Sequence, residues 1–202
     1  MAAPVLPTKP RFPPPGLTLQ VILGIILLAA CAGQPNQAVA PAGPTPFPLT
    51  VTSPAFVQGE AIPGKYTCQG DDSSPAVQWS APPSGTKSLA LIVEDPDAPM
   101  GTWIHWIVYN IPPDAGGLAE GASKANATQF GLPTDALQGR TSFGRSDYGG
   151  PCPPSGSHRY FFRLYALDIT LNQPGLDKAA LLNAMKAHVL SAGELMGTYK
   201  QK

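Results

Sequence analysis

Three short clusters carry most of the side chains in this sequence that could do chemistry. The first, Asp95-Pro96-Asp97-Ala98-Pro99, holds two carboxylates in a turn whose prolines fix φ and push Asp95 and Ala98 towards extended backbone. In the second, Trp103-Ile104-His105-Trp106, an extended chain would put Trp103 and His105 on one face and Ile104 and Trp106 on the other. The third starts at Gly149-Gly150-Pro151-Cys152 and runs to His158-Arg159-Tyr160, a proline-stiffened loop entering a strand with His158 and Tyr160 on one face. Glycine N–H groups, imidazoles and a phenol are together suited to hold an oxyanion or a phosphate. Taken singly, each cluster also suits a plain structural role: a solvated Asp turn, a packed histidine, a rigid loop.

A phosphate-like ligand needs donors, and Asp95 could hydrogen-bond one imidazole through one nitrogen, leaving the other for the ligand. Trp103 and Tyr160 would wall the site and exclude water. Catalysis needs more than this. Ser155 and Ser157 are close to His158 in sequence but diverge from it on an extended chain, and there is no Gly-x-Ser-x-Gly elbow. Binding is therefore expected rather than turnover, with no catalytic residue assigned; hydrolysis of a phosphoester or ester is the rival activity. Two histidines and two aspartates could also hold a metal, but their spacing matches no His-x-x-x-His or paired-cysteine pattern, so neither metal nor cofactor is expected.

The elements that position these residues read as strands. Residues 76–80, 88–94, 102–111 and 159–168 are rich in Val, Ile, Tyr, Phe and Trp, with Pro and Gly between them. Leu89, Leu91 and Val93 alternate with Ala90 and Ile92, apolar on both faces, which places that strand in the middle of a sandwich. One helix is expected, capped by Asp177, with Leu181, Leu182, Met185 and Val189 on one face and Gly193 as its stop. Residues 194–200 would return as a last strand, and residues 112–150 would be long loops.

The 202 residues divide in three. Residues 1–30 carry Lys9 and Arg11, no acidic residue, and an apolar run from Val21 to Ala30 that is short for a membrane span. That run ends in Leu28-Ala29-Ala30-Cys31, which resembles a lipobox and predicts a signal peptide with lipidation at Cys31. Residues 31–48 are rich in Pro and Ala and read as a solvated tether. Residues 49–202 form the domain, long enough to bury a core. The chain has 13 basic and 13 acidic residues, a balance that argues against a nucleic-acid partner. Cys68 and Cys152 remain after Cys31, either as a disulfide or as two small buried thiols.

In this order, the three clusters resemble the phosphatidylethanolamine-binding protein family, and more closely its bacterial Raf-kinase-inhibitor-like branch. Tyr66-Thr67-Cys68 and the ending Gly193 to Tyr199 resemble that branch too. The resemblance implies a mainly β, antiparallel sandwich with one or two peripheral helices near the C-terminus and a small anion pocket at one end. Asp95, Asp97, Trp103, His105, Gly150, Pro151, His158 and Tyr160 would line that pocket, with Pro99 at its rim. Thr141, Ser142, Ser146 and Asp147 depart from the branch's pattern, and Asp147 would add negative charge beside the pocket. The implied partners are a small anion or a phospholipid head group, and the membrane through the lipid on Cys31. Because the family includes inhibitors of kinases and serine proteases, an inhibitor of a secreted hydrolase is a further expectation.

Overall fold

The computed structural model describes residues 48–123 and 131–201. The signal, the lipobox at Cys31 and most of the tether lie outside the described residues. Among the described residues eight strands form two antiparallel sheets. Strands β1 (Val51–Thr52), β2 (Val77–Trp79) and β5 (Gly117–Leu118) make the smaller sheet, in the order β1-β2-β5. The larger sheet contains β3 (Ser88–Asp95), β4 (Trp103–Ile111), β6 (Leu137–Gln138), β7 (His158–Leu167) and β8 (Val189–Tyr199), in the order β6-β4-β3-β7-β8. The fold is thus mainly β, a sandwich with one α-helix among the described residues, α1 (Lys178–Met185).

Strand β3 is the middle of the larger sheet and is buried along its whole length. Its two apolar faces serve two cores. Leu89, Leu91 and Val93 pack with Val77, Trp79, Phe162 and Leu164 between the sheets. Ala90 and Ile92 pack on the other side with Leu176, Leu181 and Met185 from the chain that follows β7. At roughly 1.5–3 kcal/mol for each large apolar side chain withdrawn from water, this double burial makes β3 a rigid base for the turn that leaves its end. Glu94, also buried, anchors α1 from below by pairing with Lys178 and with Arg163 Nε at 2.9 Å.

Three expectations from the sequence are corrected. The helix ends at Met185, although Asp177 caps it as expected by accepting the Ala180 N–H at 2.9 Å. Leu182 is exposed and Val189 opens β8 instead of continuing the apolar face. Gly193 lies inside β8 and stops nothing: a Cβ there would sit 1.9 Å from the Leu49 carbonyl oxygen, so the glycine admits a neighbouring backbone. That neighbour, together with Gly59 and Ile62, covers the outer edge of β8 with hydrogen bonds to Ala192, Met196 and Thr198. Finally, the described part of residues 112–150 includes β5 and β6 as well as loops.

Candidate functional site

Val93 pairs with Trp106 and Glu94 with Ile104, so His105 is an extra residue on β4, a bulge. The bulge breaks the simple alternation expected from the sequence. Trp106 joins the core between the sheets, whereas Ile104 packs on the opposite side with Ile92; the two do not share a face. Trp103 and His105 do both face one cavity, of about 350 Å³, at the end of the larger sheet. Asp95 and His158, from the adjoining ends of β3 and β7, complete its polar base. Its walls are apolar: Trp103 and Phe143 on one side, Pro99 and Met100 from the turn after β3, and Cys152, Pro153 and Pro154 from the loop before β7.

Each polar group at the base is held by a partner. Asp95 is 4% exposed; one of its oxygens takes the Asp97 N–H at 2.8 Å and the other takes His158 Nδ1 at 2.7 Å. His105 is 3% exposed, and its Nδ1 donates to the Gly149 carbonyl at 2.6 Å. Burial pushes the His105 pKa below its ordinary 6.5, against the opposing pull of the Gly149 carbonyl and the Asp95 charge, so the charged ring is disfavoured. The Tyr160 ring packs edge-on against His105 at 5.2 Å, and burial first, then the Asp95 charge, raise its phenol above the ordinary value. Cys68 and Cys152 form a disulfide with Cα atoms 5.5 Å apart, which fastens the Pro151 to Pro154 wall to the loop after a 3₁₀ turn, Gly64–Tyr66. Among the described residues no three His, Cys, Asp or Glu side chains gather to hold a metal ion.

The model of the phosphatidylethanolamine-binding protein family matches residues 52–200. The chain belongs to that family. A UPF0098 protein of Methanothermobacter thermautotrophicus is 47% identical over 154 residues, which cover 76% of this chain and 99% of that protein. A UPF0098 protein of Chlamydia muridarum is 48% identical over 159 residues, with coverage of 76% and 99%. Among solved structures, a phosphatidylethanolamine-binding protein homologue of Chlamydia trachomatis superposes with a TM-score of 0.69 at 46% identity, covering 77% of this chain and 99% of that one. Escherichia coli YbcL, described as a member of the mammalian family, gives 0.70 at 35% identity, with coverage of 76% and 99%.

Of the residues expected in this family member's pocket, Asp95, Trp103, His105 and His158 line the cavity, and Pro99 stands at its edge. The other four do not. Asp97 points to β7, where its carboxylate takes the Arg159 N–H, Nε–H and Nη2–H at 2.7 to 2.9 Å. Tyr160 sits behind His105 in the core. The glycine N–H groups expected to face an anion are already used: Gly149 donates to the His105 carbonyl, and Gly150 donates to Asp72 Oδ1 at 2.6 Å. Gly150 is required for packing instead, since a Cβ there would meet the Tyr66 carbonyl oxygen at 2.4 Å. Pro151 is buried beside the disulfide and receives the Cys68 N–H on its carbonyl.

Sequence reasoning missed Phe143, Met100, the wall at Pro153 and Pro154, and Asp72. Phe143 stands edge-on to Trp103 at 5.4 Å and to His105 at 5.5 Å, and its ring fills the space a Gly149 side chain would need. Its loop is ordered by the residues that depart from the branch's pattern. Thr141 hydrogen-bonds the Arg145 carbonyl through both its N–H and its hydroxyl, and Ser142 Oγ accepts the Ile104 N–H at 2.9 Å. Asp147 is paired with Arg145, which also reaches Asp72, so one guanidinium is shared between two carboxylates.

Two of these shifts set a pH dependence. The unfolded chain protonates His105 at about 6.5, whereas the folded chain resists it, so stability is full above that pH and declines as pH falls below it. Asp97 is held down to about 2, chiefly by the hydrogen bonds from Arg159, against 3.8 for the free side chain; its contribution is lost between about pH 4 and pH 2. Urea midpoints measured from pH 8 to pH 3 should therefore start to drop near pH 6.5. A midpoint that is flat between pH 7 and pH 5 would contradict a neutral, buried His105.

Proposed function

We propose that this chain is a non-catalytic binding module that holds a small anion, phosphate or a phosphorylated head group, outside the cytoplasm and is tethered to a membrane by lipid on Cys31. The observation that carries the binding reading is the pairing of a carboxylate-backed imidazole, His158 on Asp95, with a carbonyl-backed one, His105, in one apolar cavity. Apolar walls lower the local dielectric and strengthen the few polar contacts a small ligand makes. Among the described residues the lining includes no serine, threonine or lysine, and its one cysteine is in a disulfide, which favours binding over acyl or phosphoryl transfer.

Calorimetric titration of the detergent-solubilised chain with inorganic phosphate should give one site of modest affinity, since a small ligand offers few atoms to contact. His158→Ala should weaken it at least roughly tenfold, the cost of one charge-assisted hydrogen bond. His188→Ala should not, because His188 pairs with Asp168 away from the cavity. Unchanged affinity in folded His158→Ala would remove the anion-pocket reading. Turnover of a phosphoester, lost in that variant, would establish the hydrolase alternative, and inhibition seen only with a secreted hydrolase present would establish the inhibitor alternative.

The location rests on Lys9, Arg11, the apolar run and the small residues before Cys31. Expressed in a bacterium, the chain should partition with membranes, and Cys31→Ser should release it or leave it unprocessed. Normal processing together with unchanged membrane association in that variant would contradict lipidation.

A further inference from the structure

The two imidazoles at the base of the cavity are oriented by partners that can only accept. A carbonyl oxygen has no proton to give, so His105 Nδ1, 2.6 Å from the Gly149 carbonyl, carries the hydrogen. The Asp95 carboxylate likewise fixes the hydrogen on His158 Nδ1, at 2.7 Å. In a neutral ring the other nitrogen, Nε2, is then a lone pair. His105 is buried against the Phe143 and Tyr160 rings, where burial disfavours the imidazolium, so its Nε2 is offered to the ligand as an acceptor. A fully deprotonated oxyanion would face that lone pair with a lone pair of its own.

The charges around the cavity point the same way. Among the described residues its lining holds one carboxylate, Asp95, and the two histidines, but no Arg or Lys. The guanidinium groups of Arg159 and Arg145 are already committed, Arg159 to Asp97 and Arg145 to Asp72 and Asp147. Even with His158 protonated, the Asp95 and His158 pair sums to zero charge, so no described side chain at the base neutralises a dianion.

Building on the anion-pocket reading, we infer that the cavity selects a singly charged phosphate monoester that keeps one acid hydrogen, its P–OH donating to His105 Nε2 while a charged oxygen accepts from the Nε2–H that His158 carries as an imidazolium paired with Asp95. A phosphodiester without a hydrogen donor has the same charge and an acceptor for His158, but nothing to offer His105. The shared chemistry could reach the site as a soluble monoester or as the head group of phosphatidic acid.

The test compares monomethyl phosphate with dimethyl phosphate at pH 5.5, where the monoester is mainly singly charged because its second pKa is about 6. Both probes are small beside a cavity of about 350 Å³, so the extra methyl group is not excluded by size. Titrated into the full chain in detergent, monomethyl phosphate should bind at least roughly tenfold tighter, the expected result of leaving a buried acceptor unpaired. Side-chain ¹⁵N correlation spectra at the same pH should show His105 protonated at Nδ1 and not at Nε2. Competition by phosphatidic acid placed in the micelles would support the proposal with a lipid source, and its failure to compete would support it with a soluble source. Equal affinity for the two methyl phosphates, or a protonated His105 Nε2 in the free chain, would overturn this inference while leaving the anion pocket standing. Absence of binding by both probes and by inorganic phosphate would instead remove the pocket on which it rests.

Discussion

Replacing Cys68 and Cys152 together by serine should lower stability by about 4–5 kcal/mol, because the bridge closes 84 residues and removes that loop's entropy from the unfolded chain. For a domain of this size the melting temperature should fall by roughly 8–20 °C. The bridge is exposed on both sides, so a dithiol reductant added to the folded protein should reach it and give a comparable loss. Binding should suffer with stability, since Cys152 belongs to the cavity wall and residues 153–157, two of them proline, make no hydrogen bond of their own. Urea titrations of oxidised, reduced and doubly substituted protein measure the effect. A difference below about 1 kcal/mol between the first and the last would show that the unfolded chain is already constrained without the bridge.

Asp95→Ala should have the largest effect of any single substitution at the site, because it acts on both stability and binding. The carboxylate accepts from the Asp97 N–H and from His158 Nδ1, two donors that alanine leaves without a partner. At about 1–3 kcal/mol for each unsatisfied buried group, a loss of roughly 2–5 kcal/mol is expected, less where water enters from the cavity. The His158 ring would also lose the partner that fixes its orientation, and phosphate affinity should fall at least roughly tenfold. Asp95→Asn separates the two roles. Its single carbonyl oxygen can serve one of the two donors, so part of the stability should return while the negative charge beside the His158 ring does not. Phosphate binding of Asp95→Asn equal to that of the unaltered chain would contradict the role given to the charge.

The strands were legible because apolar side chains recur with a period of two and are bounded by Pro and Gly. For β3, the run from Leu89 to Val93 even disclosed that both faces are buried, and the alternation at His158 and Tyr160 is the one observed. Four cavity residues were legible for the same reason: Asp95, Trp103, His105 and His158 stand at strand ends. What escaped was everything decided by a partner distant in sequence. The bulge at His105 depends on how β3 pairs with β4, so Trp106 turned to the core although strict alternation put it with Ile104. The sequence offers Gly150 as a free donor, but Asp72, 78 positions away and at a φ of 50°, accepts its N–H. Asp97 looked like a second pocket carboxylate because its proline neighbours say how the turn bends and not which side of it meets Arg159. Phe143 carried no signal in a loop of small and polar residues, and the short helix was overextended because Val189 continued its spacing after the chain had already turned into β8.

The account turns on a ligand being held between His158 and His105, and a crystal structure of the chain grown with monomethyl phosphate addresses that most directly. The expected result is one phosphate group in the cavity, with an oxygen within about 3 Å of Nε2 on each ring and the methyl group towards Met100 and Phe143. A cavity holding only water at saturating ligand, or a phosphate bound elsewhere on the surface with both imidazoles untouched, would contradict it.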